Sequence, residues 1–284
     1  MRPILFHIGP VPVYGFGLMM AIAFLTANWL FTRQARKRGW DERFVSNVTI
    51  IALVAGLIGA KLFHLFEYPE LFLRDPLSAV FSGEGLTFHG GLIIATIAVG
   101  FYARMRGVRF FALGDALAPA LILAYGIGRI GCQLAGDGDY GIPSKLPWAM
   151  SYPNGTVPTL SSINVELSQK YKELFPNEPV PYDIKVHPTP IYETLAAIGI
   201  FFVLYRLQQR STHQEGWLFG LYLILAGMER FLVEFLRLNP LYLGLSQAQW
   251  VSMGMIVAGI VIVVRRWNSS RLREAAQSTP VRLR

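Results

Sequence analysis

Residues 45–66 read VSNVTIIALVAGLIGAKLFHLF, a run in which Lys61 and His64 are the only ionisable side chains. A helix crossing ~30 Å of hydrocarbon needs roughly 20 mainly apolar residues, so this stretch alone is long enough to span a bilayer. Six further stretches qualify or nearly qualify, at about 11–32, 86–103, 110–131, 189–207, 216–236 and 248–267. A soluble domain would have to bury all of these helices on every side, which one chain of 284 residues does not do. Only 15% of the residues are charged, well below the quarter typical of soluble domains. The expected fold class is an all-α polytopic membrane protein of about seven transmembrane helices.

The formal charge of +8 invites a nucleic-acid partner, but its placement argues against one. Basic residues cluster at Arg33, Arg36, Lys37, Arg38 and Arg43, at Arg104, Arg106 and Arg109, and at Arg206 and Arg210. A last cluster holds Arg265, Arg266, Arg271, Arg273, Arg282 and Arg284. These are 16 of the 26 Lys and Arg residues, and every cluster follows an odd-numbered helix. Such alternation is the positive-inside rule, so the charge records topology and no nucleic acid is expected. It places the N-terminus outside and the C-terminus in the cytoplasm, with residues 132–187 as an extracytoplasmic loop or cap between helices four and five. The opening Met1-Arg2-Pro3-Ile4 lacks the features of a removable signal, so the first helix is expected to be retained as an anchor. The single cysteine, Cys132, excludes an internal disulfide framework.

Residues 1–267 therefore read as a single seven-helix membrane domain, and 268–284 as a basic cytoplasmic tail. The long loop is rich in Pro, Gly, Asp and Asn, and within it Ser161–Phe175 has the pattern of a short amphipathic helix. A loop of this length in a compact bundle points to a lid, a binding element or a small cap.

Ionisable side chains inside spanning helices cost at least ~2.5 kcal/mol each, which makes them functional candidates. The topology sets the depth of each. Lys61 and His64 fall near the outer end of helix two, His89 near the outer end of helix three and Arg129 at the outer end of helix four. His187, Tyr192 and Glu193 enter with helix five. Arg230, Glu234 and Arg237 occupy i, i+4 and i+7 of helix six, a single face. Tyr14 opens helix one on the same side, while Asp115 lies towards the inner half. Arg129, Arg230 and Lys61 together suit an anion, and guanidinium suits the bidentate contacts of a phosphate. His89 can exchange a proton near neutral pH. Gly90, Gly91 and Gly131 permit close helix packing or approach of a ligand, and Gly136, Gly138 and Gly141 suit a tight turn beyond helix four. These features point to a phospholipid-headgroup site. His64, His89 and His187 lie on different helices without ligand spacing, so no metal and no cofactor are expected.

Several segments, in order, resemble the bacterial phosphatidylglycerol–prolipoprotein diacylglyceryl transferase family. They include Tyr14-Gly15-Phe16-Gly17, Gly59-Ala60-Lys61, Leu86-Thr87-Phe88-His89-Gly90-Gly91 and Gly128-Arg129-Ile130-Gly131. The series continues through His187-Pro188-Thr189-Pro190-Ile191-Tyr192-Glu193 and Gly216-Trp217-Leu218-Phe219-Gly220, and ends on Glu229-Arg230-Phe231-Leu232-Val233-Glu234-Phe235-Leu236-Arg237. The resemblance implies a multi-pass enzyme of the bacterial cytoplasmic (inner) membrane. Such an enzyme moves the diacylglyceryl group of phosphatidylglycerol to the lipobox cysteine thiol of a preprolipoprotein and releases glycerol phosphate. It implies catalytic roles for His89, Arg129 and Arg230, and phospholipid binding by Arg129, Tyr14, Lys61, Asp137, Glu234 and Arg237. Gly90, Gly91, Gly131, His187, Tyr192 and Glu193 would support them. The partners implied are phosphatidylglycerol, lipobox segments and the lipid bilayer.

One departure stands out. After Gly131 the family pattern carries Asn-Phe, then Asn and a glutamate, whereas here the run is Cys132-Gln133-Leu134-Ala135-Gly136-Asp137-Gly138-Asp139-Tyr140-Gly141. Asp137 stands where the glutamate does, with Asp139 as competitor, and Cys132 replaces an amide. The readings set against the enzyme are a membrane transporter, which would carry polar residues through its whole depth, and a non-catalytic phospholipid-binding protein of the same fold.

Overall fold

A computed structural model describes residues 3–81, 87–210 and 214–278. Leu86, Arg282 and Arg284, with the rest of the tail beyond 278, lie outside the described residues. The chain opens with a hairpin, β1 (Ile4–Ile8) and β2 (Val11–Tyr14), followed by α1 (Gly15–Lys37) and α2 (Glu42–Glu67). Two short helices, α3 (Pro69–Arg74) and α4 (Pro76–Phe81), precede α5 (Phe88–Met105) and α6 (Phe110–Ala135). Then come α7 (Val165–Leu174), α8 (Thr189–Arg210) and α9 (Trp217–Val233), which runs into a 3-10 turn at Glu234–Leu236. A small hairpin, β3 (Leu241–Tyr242) and β4 (Leu245–Ser246), leads into α10 (Gln247–Ser278).

Among the described residues, α1, α2, α6, α8 and residues Gln247–Arg266 of α10 are long and apolar enough to cross a membrane. Helices α5 and α9 are apolar too, but shorter, at 18 and 17 residues. Large apolar side chains such as Leu25, Leu57, Phe101, Phe202 and Val257 point outward, as they do where the surrounding solvent is lipid. The molecule is a mostly helical, multi-pass membrane protein.

Several expected boundaries differ: α1 runs to Lys37, past the expected 32, and α10 to Ser278, past the expected 267. Residues 11–14 pair with β1 instead of starting the first helix: Gly9 takes φ +59° in the turn, and Pro10 and Pro12 keep the chain extended beside it. Helix α6 continues to Ala135, past the expected end at 131, because no helix-breaking residue intervenes until Gly136. At Gly136 the chain turns with φ +58°, and its N–H caps the Cys132 carbonyl at 2.9 Å. Helix α9 stops at Val233 instead of 236, and Arg237 is extended. There the backbone leaves the helix to pair with the segment after α6: Ile142 N–H donates to Leu236 O at 2.7 Å, and Gly141 bridges Arg237.

The segment between α6 and α8 is a small folded cap with its own core. Tyr140, Tyr152, Leu167, Tyr171, Ile184 and Val186 are buried together, each such side chain contributing roughly 1.5–3 kcal/mol. The expected amphipathic helix is α7. Asn164 caps it by accepting from Leu167 N–H at 3.0 Å, and Leu167 and Tyr171, one turn apart, face the core. Burial raises the Tyr140 and Tyr152 hydroxyls to about 12, so both serve as neutral hydrogen-bond groups at physiological pH.

The chain forms two compact units, residues 28–116 and the remainder, with boundaries inside α1 and α6. In the first, α2 packs on α5 through small residues. A Cβ at Gly90 would lie 2.3 Å from that of Phe63, and one at Gly91 would lie 2.8 Å from the Gly56 carbonyl. The glycines after His89 are thus occupied in helix contact. The Thr87 N–H, donating to Ala60 O at 3.0 Å, ties the start of α5 to α2. In the second unit α9 packs against α8 and α10.

Candidate active site

The second unit gathers three arginines and three carboxylates at one end of α6, α8 and α9. Arg129 comes from α6, Glu193 from just past the first turn of α8, and Arg230 from α9. Glu234 and Arg237 follow from the 3-10 turn and the strand-like exit beyond it. Asp139 is delivered by the turn after α6, where Gly136 and Gly138 have φ of +58° and +92°, a conformation costly for other L residues.

Glu193 is the centre. Its side chain has no exposed surface, and its Oε1 accepts a hydrogen bond from Tyr125 Oη at 2.8 Å. The same oxygen lies 3.4 Å from Arg129 Nε and 3.6 Å from Arg230 Nη1, while Oε2 lies 3.9 Å from Arg237 Nη1. Glu234 holds Arg230 through Nη2 at 2.7 Å and sits 3.8 Å from Arg237 Nε. Asn239 donates to the other Glu234 oxygen at 2.5 Å. Asp139 bridges Arg129 and Arg237, one carboxylate oxygen to each. Three positive and three negative groups thus neutralise one another in a partly buried network, where loss of one member leaves its partners uncompensated.

The arginines differ in exposure. Arg237 retains 8% of its side-chain surface, Arg129 16% and Arg230 21%. Arg237 is an internal strut, and Arg129 and Arg230 are the pair that presents a face outward. Arg129 also stacks over the Tyr125 ring, its guanidinium carbon 5.0 Å from the centroid. Arg230 Nη1 and Arg237 Nε and Nη1 are buried atoms with no hydrogen-bond acceptor among the described residues, although carboxylates lie within 4 Å. Glu193 Oε2 and Glu234 Oε2 are likewise buried without a hydrogen-bond donor among the described residues, so the Arg237 donors face unpaired acceptors inside the network.

Of the two aspartates after α6, it is Asp139 that engages the arginines. Asp137 lies instead beside Cys132 and accepts from the Asp139 N–H at 3.3 Å, closing the turn. Burial alone would raise the Asp139 carboxyl, but Arg237 and Arg129 override it and hold it at about 2. Asp137, without such partners, is raised by burial and by the neighbouring Asp139 charge. Cys132 is buried in α6 with its Sγ 3.9 Å from Arg129 Nη1. Its neighbour Gln133 accepts from Tyr152 Oη at 2.8 Å and donates to Met150 Sδ, tying α6 to the cap. Cys132, Asp137 and Asp139 bring ligand atoms within 4.8 Å of one another. Both Asp139 oxygens are already engaged by guanidinium groups, which is the donor set of an ion-pair network and not of a metal centre.

The other expected residues are distributed as follows. His187 and Tyr192 form a second cluster at the head of α8, with His187 Nδ1 3.2 Å from Tyr192 Oη and Trp148 Nε1 donating to that oxygen at 2.8 Å. Burial lowers the His187 imidazole, favouring its neutral form. Gly131 packs against Met19 and Phe16 of α1. Tyr14 is exposed on β2, outside the ion-pair network. Lys61 and His89 are half-buried on α2 and α5 of the 28–116 unit. Reading the sequence did not single out Tyr125 or Asn239. Tyr125 stands one helical turn before Arg129, and that spacing was the available signal.

A family model described as prolipoprotein diacylglyceryl transferase matches residues 3–265. The phosphatidylglycerol–prolipoprotein diacylglyceryl transferase of Clostridium tetani is 31% identical over 277 residues, covering 96% of this chain and 100% of the relative. The proteins of the same name from Erwinia tasmaniensis and an Escherichia coli strain are 32% and 30% identical, covering 96% and 94% of this chain and the same shares of themselves. With a family match over nearly its whole length and relatives aligned end to end, the chain belongs to the prolipoprotein diacylglyceryl transferase family.

Proposed function

We propose that the protein transfers the diacylglyceryl group of phosphatidylglycerol to the lipobox cysteine thiol of preprolipoproteins. The thiolate attacks the glyceryl C3 carbon, a C–S bond forms as the C–O bond breaks, and the electron pair leaves on glycerol phosphate. The observation that carries this reading is the pair of partly exposed arginines, Arg129 and Arg230, fixed over one buried carboxylate, Glu193. A phosphodiester donor bears one negative charge, and the departing phosphate gains a second as the bond breaks. Guanidinium groups already held in place therefore bind the transition state more tightly than the ground state. Arg129 and Arg230 are assigned to the phosphate. Glu193, Glu234, Asp139 and Arg237 are assigned to positioning them. His89 enters on the resemblance alone, as the essential imidazole expected to take the thiol proton, and Tyr14 and Lys61 as donor-binding residues.

In the same proposal α5 and α9 join the five longer helices to make seven spans of the bacterial cytoplasmic membrane. The N-terminus and cap lie outside and the basic tail in the cytoplasm, as the distribution of arginines supports. The test uses purified protein, phosphatidylglycerol and a synthetic lipobox peptide, with glycerol phosphate release as the readout. Release should require the peptide thiol, disappear in Arg129→Ala and survive in Cys132→Ser. Release in Cys132→Ser excludes a covalent intermediate on Cys132, and no release from folded wild type would overturn the assignment.

A further inference from the structure

At the end of the 28–116 unit where α1 gives onto α2 and α5 onto α6, the chain forms a half-open cavity of about 560 Å³. It is lined by Gly39, Trp40, Asp41, Arg43, Phe44, Asn47, Arg106 and Val108. None of these residues belongs to the network described above. We propose that this cavity binds the phosphate of an anionic phospholipid, at a site separate from the one assigned to the donor.

The donor inventory points to an anion. Asn47 Nδ2 and Arg106 Nε both donate to Tyr102 Oη, at 2.8 and 3.2 Å, which fixes the side chains while leaving further N–H groups on each. No carboxylate among the described residues ion-pairs with Arg43 or Arg106. Asp41, the one acid in the lining, uses an oxygen to cap α2 by accepting from Arg43 N–H at 3.2 Å. Just outside, Glu42 is paired with Arg36, and Arg38 donates to the Ala112 carbonyl at 3.1 Å. The lining thus carries two uncompensated guanidiniums against one acid.

The walls point to a lipid in preference to a free ion. Trp40 and Phe44 of the lining join Phe31 and Tyr102 beside it in a continuous aromatic chain, with centroid separations of 5.6–6.4 Å. Phe31 and Phe44 are buried, and the partly exposed Trp40 and Tyr102 are of the two types that favour the depth of the headgroups. On α2, Arg43 and Asn47 are followed at helical spacing by Ile50, Val54 and Leu57, so one stripe runs from the cavity's donors along the helix. All three apolar side chains on it are at least half exposed. A ligand with an anionic head and an acyl tail matches that order of surfaces. On the proposed orientation this end faces the cytoplasmic leaflet, where anionic headgroups and basic side chains attract one another.

The experiment reconstitutes the full-length protein in phosphatidylcholine nanodiscs containing a photoreactive phosphatidic acid, which lacks the headgroup glycerol of the proposed donor. Crosslinks should appear on the segments 39–47 and 102–108, and should fall about tenfold or more in Arg43→Gln/Arg106→Gln. Excess unlabelled phosphatidic acid should remove them, and millimolar inorganic phosphate should not. Transfer activity and unfolding temperature serve as the folding control and should match wild type. Equal crosslinking by a photoreactive phosphatidylcholine, or no loss in the folded double variant, would overturn the site. Displacement by inorganic phosphate would overturn the lipid assignment and give the cavity to a soluble phosphate.

Discussion

Tyr125 offers the sharpest test of how the arginine pair is held. Its hydroxyl donates to a Glu193 oxygen at 2.8 Å, and its ring lies under the Arg129 guanidinium. Tyr125→Phe keeps the ring and removes one hydrogen bond to a charged acceptor that has no exposed surface through which water could replace it. A bond of that kind is worth roughly 1.5–3 kcal/mol. If the whole of it positions Arg129 for the transition state, the rate of thiol-dependent glycerol phosphate release falls by roughly 10- to 150-fold. The loss should appear in kcat with little change in KM, because the contact acts through Arg129 and not on the bound lipid. Tyr125→Ala also removes the cation–π contact, worth roughly 0.5–2 kcal/mol, and should be slower again. A double-mutant cycle with Glu193→Gln isolates the coupling, since losses at two residues sharing one hydrogen bond do not add. Activity of folded Tyr125→Phe within about twofold of wild type, or strict additivity in the cycle, would refute the reasoning.

Three further outcomes are expected. Asp139→Asn should lower both activity and unfolding temperature, whereas Asp137→Asn should retain most of each, because only Asp139 bridges Arg129 and Arg237; the two purified variants, compared side by side, decide it. The Asp139 carboxyl is held at about 2, below its ordinary value near 4, so its stabilising contribution is fully present above about pH 4 and is lost as pH falls towards 2. Thermal unfolding in detergent should therefore show a wild-type advantage over Asp139→Asn that is flat from pH 7 to about 5 and shrinks only below about 4. Gly141→Ala would place a Cβ 2.4 Å from the Leu236 carbonyl oxygen, where the cap meets the exit from α9. A cost of roughly 1–3 kcal/mol and a lower unfolding temperature should follow, with the donor-site residues themselves unaltered.

Each hydropathy run coincides with an apolar helix, because lipid exposure demands continuous apolar sequence whatever the neighbours are, although α1 starts four residues later and α10 runs eleven residues further than its run. The same reading marked Arg129, Glu193, Arg230, Glu234 and Arg237 as exceptional, since charge inside such a run has no cheap explanation. The sequence did not determine which groups meet. On helical spacing Arg237 belongs to the face of Arg230, yet the helix ends at Val233, and Arg237 reaches Asp139 only because the exit strand pairs with Gly141 and Ile142. Along the chain Asp137 is the first choice for the glutamate's place and Asp139 its competitor, and the ion pairs go to Asp139. Two glycines with positive φ turn the backbone so that Asp139 faces the arginines and Asp137 does not. Glu193 looks like one acid at the head of a helix until α6, α8 and α9 pack and make it the shared counter-ion of three arginines. Apolar length is a local property, set by the solvent around each helix. Ion pairing is a property of distances between helices, and those exist only once the chain has folded.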